Sequence, residues 1–323
     1  MRRLLDREAL IKAKQEECEK KIELLHTKFP RLREIEEELG RLSLERIKVG
    51  ILSKDANRAK EIDKEAALLF KEKEFILKAN GIPLTIYEPQ WNCPKCQDKG
   101  YLNPGELCSC YQQERIEHLF KQSGITGNMR SKSFDNFDTS YYDDPVAMED
   151  KVRRCRNFVH NLVQGKKQNN LLFTGAIGRG KTHLSLAIAN EALKKGCTVI
   201  YYRIEDLLDA IRQYKYENDQ GLIGAKQQLS FLKEADLLII DDLGVESLTS
   251  FAENQIQMII EDRNNLDKPW IINSNLDVEE LQRTYGQRIT DRIIEKSYIF
   301  SFEAATSIRV ILRRKNTTKK NEA

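Results

Sequence analysis

The chain has 323 residues, 40% of them hydrophobic and 32% charged, and a formal net charge of +3. That length holds two domains, or one domain and an appendage, and the charged fraction is high enough to imply an exposed helical part beside a compact core. The near-balanced charge carries no nucleic-acid signal of its own. No apolar run is long enough to span a membrane, and the N-terminus MRRLLDREALIKAKQEE turns polar too soon for a secretory signal, so a cytoplasmic location is expected.

Residues 1–80 are rich in Glu, Lys, Arg and Leu, all good helix formers. Leu4, Ile11, Cys18, Leu25, Leu32 and Leu39 recur every seven residues. A second stripe is partial: Ile22 and Phe29 are apolar, but Glu8, Gln15 and Glu36 interrupt it. The pattern predicts long helices forming an antiparallel hairpin broken near Pro30 or around Gly50–Ser53, and it fits both a coiled coil and a bundle with a solvated face. Residues 81–92 (GIPLTIYEPQWN) read as a linker. Residues 111–123 read as helical and 124–145 as an extended connection.

From residue 146 strands alternate with helices. A helix over 146–164 leads to the strand Asn170–Thr174, a glycine loop and a second helix. Strand Thr198–Tyr202, helices across 204–234, the near-continuously apolar strand Leu237–Asp241, helix 251–266 and strand Trp270–Ser274 follow. Short helices around 278–294 precede strands near 298–302 and 308–313, and the polar tail Asn316–Ala323 reads as disordered. This order predicts an α/β domain over 124–315 whose parallel sheet is covered by helices on both faces, preceded by an all-α arm (1–80) and a small module (81–123).

The loop Gly175-Ala176-Ile177-Gly178-Arg179-Gly180-Lys181-Thr182 matches G-x-x-x-x-G-K-[ST], between an apolar strand and an amphipathic helix. Its glycines let backbone N–H groups converge on phosphates, and the helix N-terminus adds partial positive charge. Lys181 reaches the β- and γ-phosphates and the Thr182 hydroxyl ligates Mg²⁺, so the expected cofactors are ATP and Mg²⁺. Arg179, a bulky cation between two glycines, is read as facing solvent, with the nucleotide and a neighbouring subunit as alternatives. A buried strand ending in paired carboxylates is costly unless they have work to do. Asp241 is assigned to the Mg²⁺ shell and Asp242 to polarising the attacking water. Asn275, at a third strand end, can orient that water, and Asn273 competes for the role.

In order and spacing, G-A-I-G-R-G-K-T-H-L, L-L-I-I-D-D-L-G, I-I-N-S-N-L, Y-G-Q-R-I-T-D-R-I and a late S-I-R resemble the bacterial replicative helicase loaders of the DnaC/DnaI type. The same core is similar to the IstB-like ATPase helpers of some transposases. The resemblance covers about residues 124–314 and implies AAA+ subunits that assemble side by side with ATP at each interface. His183 enters the nucleotide site as part of the first motif. The resemblance also makes Arg288 the expected arginine finger, with Arg292 as a second candidate, and makes Arg309 the cation that senses the γ-phosphate within its own subunit. Phe134, in the Ser133–Phe137 stretch, is expected near the adenine.

Cys93-Pro-Lys-Cys96 and Cys108-Ser-Cys110 bracket a glycine-containing turn. Without an export signal, two close pairs point to structural Zn²⁺ held by four thiolates, with a redox dithiol and an iron–sulfur cluster as the alternatives. Helicase loaders of Gram-positive type resemble this layout, which implies that the N-terminal part grips the helicase. Single-stranded DNA contact is expected at Arg212, Tyr214, Lys215, Tyr216 and Lys226, where cations and aromatic faces interleave; an ordinary amphipathic helix pair fits the same residues. The expected function is ATP-dependent loading of a hexameric replicative helicase onto single-stranded DNA. A transposase helper and a nucleotide-dependent partner-binding switch are the alternatives.

Overall fold

The computed structural model describes residues 2–53, 55–103, 105–216, 232–304 and 306–311. Its chain divides into two units, Met1–Gln112 and Gln113–Ala323.

In the first unit both expected helix breaks occur, so the arm is three helices rather than a hairpin: α1 (Arg2–Lys28), α2 (Pro30–Lys48) and α3 (Ala56–Ala79). Pro30 occupies the first turn of α2, where its missing N–H costs nothing. The carboxylate of Asp55 caps α3 by accepting the Asn57 and Arg58 amides at 2.9 and 3.1 Å. Cys18, Leu25 and Leu32 of the seven-residue stripe are buried, as are Ile35 and Leu42. The side chain of Leu4 lies outside the described residues. Residues 81–92 do more than connect, because Ile82, Ile86 and Tyr87 pack against Leu25, Leu32 and Leu77. Lys73 is buried there and is neutralised by Glu36 at 2.6 Å, its ammonium 3.4 Å from the centre of the Tyr87 ring. A short hairpin, β1 (Tyr101–Asn103) and β2 (Glu106–Leu107), completes the unit, and the division falls inside α4 (Ser109–Gln122).

The second unit is a five-stranded parallel sheet of β3 (Asn170–Thr174), β4 (Val199–Arg203), β5 (Leu237–Leu243), β6 (Trp270–Ser274) and β7 (Ser297–Ser301), in the order β4-β5-β6-β3-β7. Every residue of β3 and β6 is buried, as expected for strands covered on both sides. Alternate residues divide the core. Leu171, Phe173, Ile239 and Ile271 face α5 (Pro145–Val163) and α6 (Lys181–Lys194). Leu172, Leu238, Ile240 and Ile272 face α7 (Ile204–Tyr216), α8 (Ser250–Asn265) and α9 (Val278–Ile294). The fully buried guanidinium of Arg263 ties the starts of β5 and β6 together, donating to the carbonyls of Leu232, Ala235 and Pro269 at 2.7, 3.0 and 2.6 Å.

The short helices expected around 278–294 occur as α9, two helical stretches that meet at Gly286, whose backbone (φ 74°, ψ 165°) is not helical. One expectation is corrected. The strand expected over 308–313 is a helical turn at 308–311: the amides of Val310 and Ile311 bond back to the Ser307 carbonyl at 2.9 and 3.2 Å. The apolar residues Ile308, Val310 and Ile311 mimicked a strand, but the Ile308 amide is taken by Gly178 rather than by a sheet edge. Residues 217–231 and the tail 316–323 lie outside the described residues.

Candidate functional site

β3 delivers the chain to the phosphate loop, and α6 leaves it at Lys181 with Gly180 in the left-handed conformation (φ 95°) at the helix start. Lys181 is 6% exposed. Its ammonium donates to the carbonyls of Gly175 and Ala176 and, at 2.8 Å, to Asn275 Oδ1. Burial pulls its pKa down to about 8, against the opposing pull of Asp241 and Asp242. Above the loop lies a cleft of about 270 Å³. Lys132, Arg179 and Arg309 line it with Lys181, and among the described residues only Asp242 brings an acid to the wall. Four cations around one acid suit a polyanion, and the Thr182 hydroxyl beside Asp242 supplies the hard oxygen donors that Mg²⁺ takes. Loop and cleft therefore fit Mg·ATP.

Arg179 is partly exposed and lines the cleft, and its Nη1 is shielded from water with no hydrogen-bond partner among the described residues. Arg309 reaches the cleft because the turn that carries it is bonded to the loop: the Ile308 amide donates to the Gly178 carbonyl at 3.0 Å. Gly178 (φ 79°) has no room for a side chain, since a Cβ there would run into Ser307 Oγ.

Asp241 is 2% exposed. It accepts hydrogen bonds from Thr182 Oγ1 at 3.1 Å, Asn273 Nδ2 at 2.7 Å, the Asp242 amide at 3.1 Å and the Tyr201 hydroxyl at 2.5 Å. Asp242 turns back toward the cleft through a left-handed backbone (φ 61°) that aspartate tolerates. Burial, and then the charge of Asp241, raise its pKa above the ordinary value. Asn273 is fully buried behind Asp241, whereas Asn275 lines the cleft. The bond from Tyr201 to Asp241 has no signal in the sequence. Burial raises the phenol pKa, so the hydroxyl stays a donor.

In the first unit the Sγ atoms of Cys93, Cys96, Cys108 and Cys110 all lie within 4.8 Å of one another. The Cys93–Cys108 and Cys96–Cys110 separations are 3.7 and 3.4 Å. Bonds of about 2.3 Å to a tetrahedral zinc ion need sulfurs about 3.8 Å apart, so the cluster fits such an ion. Asp98 braces it, accepting the amides of Asn92 and Cys93 at 3.0 and 2.7 Å and pairing with Lys14 at 3.1 Å.

The sequence pattern of the IstB-like ATP-binding protein family matches residues 112–316, more than half of the chain. The chain belongs to the IstB-like ATP-binding family. The second unit therefore carries that family's ATP-binding domain. The chain is similar to the replicative helicase loader DnaC of Escherichia coli (strain K12), 27% identical over 179 residues that span 55% of this chain and 69% of that protein. It is also similar to the phage-like element PBSX protein XkdC of Bacillus subtilis (strain 168), 31% identical over 223 residues, spanning 64% of this chain and 79% of that one. Among solved structures it resembles the DnaC helicase loader at 24% identity and a TM-score of 0.47, covering 55% of this chain and 100% of the other.

In this IstB-like protein the remaining expected residues divide. His183 lines the cleft and joins it to the preceding stretch: its Nε2 meets Asn136 Oδ1 at 2.8 Å and its ring stands edge-on to Phe137, 5.3 Å away. Phe134 is buried, with the Arg156 guanidinium 4.7 Å from its ring centre, and does not line the cleft; Lys132 does. Arg292 pairs with Glu295 at 3.1 Å, while Arg288 is exposed and makes no ion pair among the described residues. Arg212 is exposed and pairs with Asp209 at 2.7 Å. The side chains of Tyr214, Lys215 and Tyr216, and all of Lys226, lie outside the described residues.

Proposed function

We propose that this chain is an ATP-driven loader of a replicative DNA helicase, with the AAA+ domain as motor and the cysteine-bearing unit as the grip on a hexameric partner. One observation carries the motor reading: Lys181, Thr182, Asp242, Asn275 and Arg309, spread over more than a hundred residues of sequence, converge on a single cleft with Asp241 beneath it. Similarity to DnaC across most of that protein supports the choice of partner.

When bound, Mg²⁺ neutralises charge on the β- and γ-phosphates and is held from the Thr182 and Asp241 side. An arriving triphosphate takes Lys181 from the carbonyls of Gly175 and Ala176 and frees Asn275 Oδ1 to orient the attacking water. The Asp242 carboxylate accepts that water's proton. Arg309 and the partnerless Nη1 of Arg179 face the phosphates from within the subunit. Arg288, exposed and unpaired among the described residues, is offered to a neighbour's γ-phosphate; Arg292 is already engaged. The resulting spiral of subunits acts in the cytoplasm, passing the helicase to single-stranded DNA along α7. The cysteine cluster holds structural Zn²⁺.

The test pairs turnover with partner capture. Asp242→Asn is expected to keep Mg·ATP binding while losing about 10²–10⁴-fold in hydrolysis, and the wild-type chain to retain the hexameric replicative helicase of its own genome on a column. Full partner release by Asp242→Asn would instead indicate a binding switch. The IstB family match favours a second reading, a transposase helper, for which ATP-dependent filaments on duplex DNA without helicase capture are the expected result.

A further inference from the structure

We propose that Tyr201 and Asn273 are positioning residues for magnesium, locking the Asp241 carboxylate so that only Oδ1 is presented toward Thr182. The proposal rests on the nucleotide site described above and deepens it.

The geometry follows from strand order. Tyr201 of the edge strand β4 lies opposite Ile239 of β5. Two residues further along β5, on the same face, stands Asp241. The phenol therefore meets Oδ2 of that carboxylate at 2.5 Å, the short distance of a charge-assisted O–H···O⁻ bond. From the next strand, β6, the Asn273 amide donates to Oδ1 at 2.7 Å and to Ser185 Oγ at 2.8 Å. All three groups are buried: Asp241 is 2%, Asn273 0% and Tyr201 7% exposed.

Such a carboxylate needs compensation, and the nearby lysine does not give it directly, because the Lys181 ammonium is bonded to two loop carbonyls and Asn275. Asp241 is instead surrounded by neutral donors, one of which is the Thr182 hydroxyl. A hydroxyl that gives its proton to Oδ1 keeps its lone pairs for a cation. With Oδ2 occupied by the phenol, the carboxylate cannot rotate to take both jobs itself.

Tyr201 is in turn fixed from outside the sheet. Its amide donates to the Ser123 carbonyl at 2.8 Å, and a Cβ on Gly124 would come within 2.7 Å of the Tyr201 oxygen. The segment after α4 thus holds the strand that holds the acid. Outer-shell partners of this kind are worth about 10- to 100-fold in metal affinity.

The experiment is a titration of full-length protein with a fluorescent ATP analogue, first in EDTA and then in rising Mg²⁺. Tyr201→Phe removes one oxygen, Asn273→Leu removes the amide at similar volume, and Tyr202→Phe is the control one residue away. The expected result is a Mg²⁺ half-saturation raised about 10- to 100-fold in the first two variants, with metal-free nucleotide affinity close to wild type. Tyr202→Phe is expected to leave the Mg²⁺ curve in place. An unmoved Mg²⁺ curve in Tyr201→Phe overturns the proposal, as does equal loss of affinity with and without metal, which marks a purely structural role. If wild-type protein binds no nucleotide under any condition, the ATPase reading fails first and this inference with it.

Discussion

Burial pulls the Lys181 ammonium down to about 8, while a bound triphosphate pushes the same group back up. Above pH 8 the free protein has lost that proton and the complex has not, so binding must take a proton up. Nucleotide affinity is therefore expected to fall as pH rises from 8 to about 9.5, by at most about tenfold per unit. Fluorescence titrations at constant ionic strength read this directly, and affinity that stays flat across the range would refute it. The stability of the free protein moves the other way. Between the folded value and the ordinary lysine value of 10.5, the unfolded chain holds a proton that the folded chain does not, so this group favours the fold more as pH rises. A loss of affinity that tracks loss of fold would have the opposite signature.

The cysteine cluster is built from a tight turn and a two-stranded hairpin, too small to bury a core of its own. The ion is expected to supply the missing folding energy. Purified protein should carry one zinc per chain by elemental analysis, and Cys108→Ser should lose it and expose residues 93–110 to proteolysis. Protein that stays metal-free yet resists cleavage would contradict this. The two cysteine pairs and the phosphate loop were legible because each is a local pattern, and strands β3 and β6 were placed to the residue because both are short apolar runs bounded by turn signals. The 308–313 segment was misread because a short apolar run with β-branched residues reports a strand only when a free sheet edge awaits it. Phe134 was expected at the base because it stands in the right stretch, yet its ring is spent under Arg156. Asn273 stood out only as a rival for orienting water, and Tyr201 and Arg263 had no usable signal. The Tyr201–Asp241, Asn273–Asp241 and Arg263–Leu232 pairs are 40, 32 and 31 residues apart, and only the order of strands brings them together.

At the scale of the assembly, the proposed role of Arg288, exposed and without an ion pair among the described residues, as a finger for a neighbour's γ-phosphate would make a subunit incomplete by itself. Arg288→Ala is expected to leave Mg·ATP binding intact and cut turnover by about 10³-fold or more. Lys181→Ala has the reverse defect, a sound finger and a failed pocket. Mixing the two inactive variants should restore part of the activity, because some interfaces then pair a good pocket with a good finger; a mixture as inactive as its components would show that Arg288 serves its own subunit. The bond between Ile308 and Gly178 has a practical corollary. It fastens the phosphate loop to the turn that carries Arg309, so a substitution that loosens that turn is expected to shift the loop and the arginine together.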